Sequence, residues 1–304
     1  MKAANAEWTR RRERGSGALL RTMIALSLRC GRRPTRVILY AIALYFFLFA
    51  PRARRSSLAY LGRALGRRPA ARDRFRQVLY FATTIHDRVF LLNDRFHEFD
   101  ISIEGEPLLR EAIRAGRGGF LLGAHLGSFE VMRALGRHRA GLAVVMAMYE
   151  ENARQLNAAL AAICPDSPPE IVPLGDIGSM LRIGERLDEG AFVGFLADRT
   201  LGEEPVRRVP FLGAPADFPL GPMRAAAILR RPVIFMAGLY RGSNRYHLVF
   251  EAVADFSAVS RAERDACVAA AVDRYVGLLE KYCRLDPYDW FNFFEFWPPQ
   301  AHDG

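Results

Sequence analysis

A histidine and a glutamate interrupt a mostly apolar segment of the chain, GFLLGAHLGSFEVMRAL (residues 119–135). His125 ends the apolar run, and Glu130 follows five residues later. Five residues correspond to about 140° around an ideal helix, so the two side chains cannot meet if both are helical. If His125 instead precedes the helix, Glu130 in its second turn can reach back to one ring nitrogen. A carboxylate there fixes the tautomer and makes the other nitrogen basic enough to take a proton from a hydroxyl. The alternative is a core histidine beside an unrelated surface glutamate.

Strand-like and helix-like segments alternate around this pair. The apolar runs at Phe120–Ala124, Leu142–Tyr149, Glu170–Leu174 and Ala191–Asp198 predict buried strands, with helices between them, one of which starts at Asn152. The segments PVIFMAGLYR and RYHLVFEAV flank Gly242–Asn244 and predict a hairpin, and a helix from about Val259 to Cys283 follows. This order predicts an α/β fold, a mostly parallel mixed sheet flanked by helices.

That arrangement places His125 at the C-terminal end of a strand, where open α/β sheets have their sites. The backbone N–H groups of Gly127, Ser128 and Phe129 would then lie near the start of a helix, ready to face an anion. Asp198 and Arg199 end another predicted strand at the same edge, so they could line a substrate pocket or form an ordinary surface ion pair. Arg154 could bind a phosphate of the substrate, although a solvated helix face is the simpler interpretation.

Positive charge is concentrated near the N-terminus. Residues 1–76 hold eighteen arginines and one lysine against three acidic residues, a net charge of +16, whereas the whole chain has +10. Among these arginines lies VILYAIALYFFLFA (Val37–Ala50), which would span about 21 Å as a helix, less than the roughly 30 Å hydrocarbon core of a bilayer. It could lie in the membrane interface, enter partway or belong to the core. We predict a basic, apolar helical region at 1–76 that docks on an anionic membrane, and an α/β domain at 77–304.

Other partners and cofactors are not indicated. The basic region carries no nucleic-acid-binding motif, so no nucleic-acid partner is expected. The four cysteines are scattered without CxxC spacing, which argues against a zinc site or a disulfide framework. Neither a metal nor a cofactor is therefore expected.

Several segments together resemble a known family. GAHLGSFE resembles the His-x4-acidic motif of the lysophospholipid acyltransferase superfamily, and in particular of the bacterial lipid A biosynthesis acyltransferase family. EWTRRRERGS near the start is similar to the N-terminal segment of that branch, and FLADRTLGEEPVRRVPFLG to its second conserved region. The tail WFNFFEFW is similar to the C-terminus of a sub-branch encoded with fatty-acid and aryl-polyene biosynthesis genes. This tail could fold back over the core or form an interfacial aromatic belt.

The resemblance implies a glycerolipid-acyltransferase-like fold and an O-acyltransferase that needs no cofactor. Its donor would be acyl carrier protein or acyl-CoA, and its acceptor a hydroxyl of a membrane lipid such as a lipid A precursor. His125 would act as the general base and Glu130 would orient it, at the cytoplasmic face of the inner membrane. The alternatives are transfer to a lysophospholipid, another glycolipid or an aryl-polyene lipid, hydrolysis of the thioester, or non-catalytic lipid binding.

Overall fold

A seven-stranded mixed sheet forms the centre of the protein. The computed structural model describes residues 17–131, 143–149, 163, 170–175, 177–200 and 204–297. The strands are β1 (Asp100–Glu104), β2 (Gly119–Gly123), β3 (Val144–Tyr149), β4 (Ile171–Leu174), β5 (Phe192–Leu196), β8 (Pro232–Tyr240) and β9 (Arg245–Asp255). Their order in the sheet is β1-β9-β8-β2-β5-β3-β4. Five strands from β8 to β4 are parallel, whereas β9 pairs antiparallel with β8, which confirms the predicted hairpin.

A second sheet of two strands was not expected from the sequence. It pairs β6 (Val206–Phe211) with β7 (Ala214–Pro219) in antiparallel register, and Pro210 lies opposite Pro215. Prolines normally indicate a loop because they cannot donate to a ladder of hydrogen bonds. They are tolerated here because both strands of a two-stranded sheet are edge strands. The backbone nitrogen of each proline can then face away from the partner strand, where no ladder hydrogen bond is needed.

Helices cover both faces of the large sheet. They are α1 (Gly17–Cys30), α2 (Arg32–Phe49), α3 (Pro51–Leu65), α4 (Ala71–Leu92), α5 (Glu106–Arg114), α6 (Ile177–Asp188), α7 (Gly221–Ile228) and α8 (Arg264–Leu285). Successive residues of β2 alternate between two cores, since Phe120 and Leu122 pack with α3, α6, α7 and α8 while Leu121 packs with α1, α4 and α5. All five residues of β2 are buried, as expected for a strand covered on both faces. The helix predicted from Asn152 lies outside the described residues.

The basic N-terminal region is joined to the sheet by a buried ion pair. Arg32 in α2 donates two hydrogen bonds of 2.7 Å to the carboxylate of Asp87 in α4. Tyr246 in β9 donates to the same carboxylate, and Arg32 also donates to the carbonyl oxygen of Ser243. Helices α2 and α4 and the β8–β9 hairpin are thus tied together. Because Arg76 lies inside α4, the domain boundary predicted at 76/77 falls within a continuous helix.

Among the helices of the described residues, no single one is long and apolar enough to cross a bilayer. Helices α2 and α3 together reach that length and hydropathy, as a pair bent by 94°. On α2 itself, the residues Arg32, Thr35, Leu39 and Ala43 are buried. Most large apolar side chains on the rest of its surface are exposed, whereas Ile38, Ile42 and Phe47 are half-buried.

Asp87→Asn is expected to lower the free energy of unfolding by about 3–5 kcal/mol, because the buried guanidinium of Arg32 loses its counter-charge. The midpoint of urea unfolding measures the loss. Asp273→Asn is the matched control, since Asp273 accepts the same two-fold hydrogen bond from Arg207 at the exposed surface, where ion pairs contribute little. Equal losses in the two variants would contradict a specific role for the buried pair.

Candidate active site

The ends of two neighbouring strands bring His125 and Asp198 together. Strands β2 and β5 are parallel, and Gly123 lies opposite Leu196 in their register. His125 and Asp198 each follow two residues beyond these paired positions, so both side chains emerge at the same edge of the sheet. His125 Nδ1 lies 2.9 Å from Asp198 Oδ1. The structure therefore makes Asp198, predicted as a pocket residue, the carboxylate that contacts the histidine ring.

Asp198 is buried and accepts hydrogen bonds from three N–H groups of the described residues. Its Oδ1 faces the imidazole, whereas Oδ2 accepts from the backbone N–H of His125 at 3.0 Å and from the indole Nε1 of Trp290 at 2.9 Å. An ionised carboxylate can only accept, so Nδ1 carries the proton and Nε2 is left as the basic nitrogen. No described residue hydrogen-bonds to Nε2, and the His125 side chain is 29% exposed. A substrate hydroxyl could therefore approach the basic nitrogen.

The electrostatic surroundings keep this histidine neutral. Burial lowers the pKa of His125 below its ordinary value, and the positive charge of Arg199 lowers it further, while Asp198 acts in the opposite direction. Burial also opposes ionisation of Asp198. The interactions with His125 and Arg199 and the hydrogen bond from Trp290 outweigh that effect and hold the pKa of Asp198 well below its usual range. At pH 7 the pair is thus a neutral imidazole beside a carboxylate, which is the form that can accept a proton.

Glu130 lies in a different environment from the one expected. The helix after the site begins at Phe129, and the carboxylate of Glu130 is buried and forms an ion pair with Arg88 of α4 at 2.9 Å. Ser128 Oγ lies 3.5 Å from its other oxygen. The expectation that Glu130 holds a ring nitrogen of His125 is corrected here, because Asp198 occupies Nδ1. Glu130 was expected at the ring because it is close to His125 in the sequence. The parallel register of β2 and β5 instead brings Asp198, 73 positions away, into contact with the ring.

Backbone hydrogen bonds join the loop after His125 to neighbouring segments of the chain. Gly127 N–H donates to the carbonyl oxygen of Asp289 and Ser128 N–H to that of Gly238. Gly127 has a φ of +72°, and a Cβ there would lie 2.0 Å from the Gly238 oxygen, so only glycine fits. The prediction that these two N–H groups face a bound anion is wrong, because each already has a carbonyl partner.

Arg199 and the C-terminal tail complete one side of the site. Arg199 lies over the ring of Phe294 at 5.0 Å and donates to the carbonyl oxygen of Phe291 at 3.4 Å. Its charge acts on His125, as described above, so it is more than a surface ion pair. Arg154 lies outside the described residues. No group of three His, Cys, Asp or Glu residues in the described ranges could hold a metal ion.

The tail WFNFFEFW (residues 290–297) was predicted either to cover the core or to form an interfacial belt, and the structure shows that it folds back. Trp290 and Phe291 are buried, and Phe296 and Trp297 pack against the core. Sequence reasoning missed that Trp290 contacts a site residue. The available signal was an indole N–H in an otherwise apolar segment, since a buried tryptophan needs a hydrogen-bond acceptor.

Arg199→Gln is expected to raise the pKa of His125, because removing the nearby positive charge makes protonation of the ring easier. A pH titration of the ring nitrogens by NMR in protein with ¹⁵N-labelled histidine measures the change. Arg208→Gln is the control, since Arg208 pairs with Asp217 at the surface. An unchanged or lower His125 pKa in Arg199→Gln would show that Arg199 does not act on the ring.

Comparison with known protein families gives a match over most of the chain. Residues 17–298 match the family described as bacterial lipid A biosynthesis acyltransferase. No curated protein matches the sequence. The match includes the whole sheet, the His125–Asp198 pair and the aromatic tail. The chain therefore belongs to the bacterial lipid A biosynthesis acyltransferase family.

Proposed function

We propose that the protein transfers a fatty acyl group from an acyl thioester to a hydroxyl of a membrane lipid, with His125 as the general base. The observation that supports this most directly is the neutral imidazole whose Nδ1–H is held by Asp198 and whose Nε2 has no hydrogen-bond partner among the described residues, in a side chain that is 29% exposed. Membership of an acyltransferase family supplies the reaction class. The donor would be acyl carrier protein or acyl-CoA, and the acceptor a lipid such as a lipid A precursor.

The reaction needs one base and no covalent enzyme intermediate. Nε2 of His125 takes the proton of the acceptor hydroxyl as the oxygen bonds to the thioester carbonyl carbon. The resulting tetrahedral oxyanion collapses, the C–S bond breaks, and the imidazolium returns its proton to the departing thiolate. Asp198 stabilises the imidazolium through Nδ1–H while both steps proceed. The products are an ester and a free thiol.

We further propose that the enzyme works at the cytoplasmic face of the inner membrane, docked through α2. The large apolar side chains of this helix that are at least 46% exposed are Val37, Tyr40, Leu44, Tyr45, Phe46, Leu48 and Phe49. An exposed apolar surface of this extent is typical of an interaction site. Exposed arginines at both ends of α2, among them Arg33 and Arg52, complement anionic headgroups.

The exposed surface of α4 supports an approach of the acceptor from the bilayer. Phe81 and Ile85 in α4 are both more than one-third exposed, and α4 packs against α2. The ring of Phe81 contacts Phe291, whose backbone N–H donates to the carbonyl oxygen of His125 at 2.7 Å. An aromatic contact therefore links the exposed surface of α4 to Phe291, whose backbone is hydrogen-bonded to that of His125. A lipid hydroxyl could reach the base while its acyl chains stay against apolar surface.

His125→Ala is expected to abolish transfer without unfolding the protein, and Asp198→Asn to lower kcat by about 10²–10⁴-fold, the usual scale for a lost acid–base function. The assay follows acyl thioester and lipid acceptor with purified enzyme. The acidic limb of the kcat/KM profile should lie below pH 6.5, because activity rises with pH through the lowered pKa of His125.

Four results would overturn parts of this proposal. Near-normal turnover by His125→Ala would exclude the base. Thioester hydrolysis at the same rate with and without lipid acceptor would identify a thioesterase, and no turnover of any thioester would favour a lipid-binding protein. If Glu130→Gln loses activity while Asp198→Asn does not, the orienting carboxylate is Glu130.

Replacing Leu44, Leu48 and Phe49 by serine is expected to weaken binding to anionic phosphatidylglycerol vesicles by a factor on the order of 100. A membrane would cover the exposed half of each side chain, worth on the order of 1 kcal/mol apiece. Co-sedimentation in 1 M salt measures binding, since apolar burial persists when charge is screened. The half-buried Phe47 is left unchanged because its ring packs against Phe75.

The matched control replaces Leu181, Ile228 and Leu285, which are 57–65% exposed and lie on α6, α7 and α8. This variant loses a comparable amount of exposed apolar surface and should bind vesicles normally. If 1 M salt alone releases the wild-type protein, or if the two triple variants bind equally, α2 is not the docking surface.

A further inference from the structure

Three consecutive residues near the C-terminus, Asp289, Trp290 and Phe291, bind three parts of the site. We call them the C-terminal clamp. The carbonyl oxygen of Asp289 accepts from Gly127 N–H at 2.9 Å, and Phe291 N–H donates to the His125 carbonyl oxygen at 2.7 Å. Between them, Trp290 pairs with Leu126 as an isolated antiparallel bridge. The clamp thus adds a short strand to the loop that carries His125.

The side chain of Trp290 reaches further into the site. Its indole N–H donates to Asp198 Oδ2 at 2.9 Å. A phenylalanine would fill much of the same apolar space, so packing alone does not require an indole. The N–H is the polar part of a fully buried side chain, and it is aimed at the carboxylate that holds the histidine.

Trp290 has little freedom to move away from this acceptor. Its ring lies against Tyr60, Phe211 and Phe296 at centroid distances of 4.8, 5.4 and 4.9 Å. Its carbonyl oxygen accepts from Gln77 Nε2 at 2.7 Å. Contacts from α3, α4 and β6 therefore fix the direction of the indole N–H before any substrate binds.

We propose that Trp290 is a positioning residue for acyl transfer: its indole N–H holds the Asp198 carboxylate in the plane that His125 Nδ1 requires and withdraws part of its charge from the ring. This inference rests on the proposed function of His125 as the base. Among the described residues, Asp198 Oδ2 would otherwise accept only from the His125 backbone, and the carboxylate could rotate about its Cβ–Cγ bond. Without the N–H, the remaining negative charge also acts more strongly on the imidazole.

Trp290→Phe tests this role, and Trp297→Phe is the matched control. Trp297 lies in the same tail, and its indole donates to the Phe211 carbonyl oxygen at 3.3 Å rather than to a site residue. Trp290→Phe is expected to lower kcat by about 10- to 100-fold, the effect of one hydrogen bond to a charged group, with little change in KM for the thioester. The acidic limb of its pH profile should move to higher pH. Trp297→Phe should change neither quantity.

The His125 pKa gives a readout that does not depend on activity. In ¹⁵N-histidine NMR spectra, with His125 assigned from a His125→Gln variant, Trp290→Phe should raise this pKa and Trp297→Phe should not. If Trp290→Phe does not fold, replacing Trp290 by benzothienylalanine removes the N–H and keeps the ring size.

The outcomes separate the two proposals. Normal kcat and an unchanged His125 pKa in a folded Trp290 variant would overturn the positioning role. An active His125→Ala enzyme would overturn the base, while the NMR titration would still decide whether Trp290 acts on the His125–Asp198 pair.

Discussion

A buried carboxylate that stays ionised is the constraint on which this site depends. Asp198 can remain charged at the edge of the sheet because N–H groups from the His125 backbone, the His125 ring and the Trp290 indole surround it and the positive charge of Arg199 lies nearby. Each donor is positioned by another part of the fold. The histidine follows β2, and the indole belongs to the folded-back tail. The geometry of the candidate site and the packing of the C-terminal tail are therefore parts of one arrangement. A substitution that displaces the tail would therefore also disturb the position of His125, although the tail contributes no reacting atom to the proposed reaction.

A second buried charge has a different task. The Arg32–Asp87 pair joins the helix with the exposed apolar face to α4 and the β8–β9 hairpin. Two further hydrogen bonds support the pair, from Tyr246 to the Asp87 carboxylate and from Arg32 to the Ser243 carbonyl oxygen, and such bonds offset part of the cost of burying the charges. The consequence is geometric, since α2 keeps a set distance and tilt relative to the edge where His125 lies. Docking through α2 would then determine how far the site stands from a membrane surface.

Much of the architecture is readable from local patterns. The continuous apolar runs gave the positions of β2, β3, β4 and β5 to within a few residues, and Gly242–Asn244 marked the β8–β9 turn. The position of His125 at a strand end followed from the same pattern, because period and strand length are local properties. The β6–β7 pair was not predicted, because prolines are typical of loops. Pro210 and Pro215 are acceptable in strands only because both strands are edge strands.

The sequence by itself determined which residues could do chemistry and at which edge of the sheet they would lie: His125, Asp198 and Arg199 all lie at the ends of predicted strands. It could not determine which carboxylate would contact the imidazole. Glu130 is near in sequence, but the helix turns it toward Arg88, while parallel pairing of β2 with β5 delivers Asp198. Only the tertiary structure decided that pairing, and only it brought Trp290 across 92 residues to the same carboxylate. The physical reason is that helix and strand periods are set by neighbours along the chain, whereas register between distant strands and the path of the tail are set by packing of the whole core.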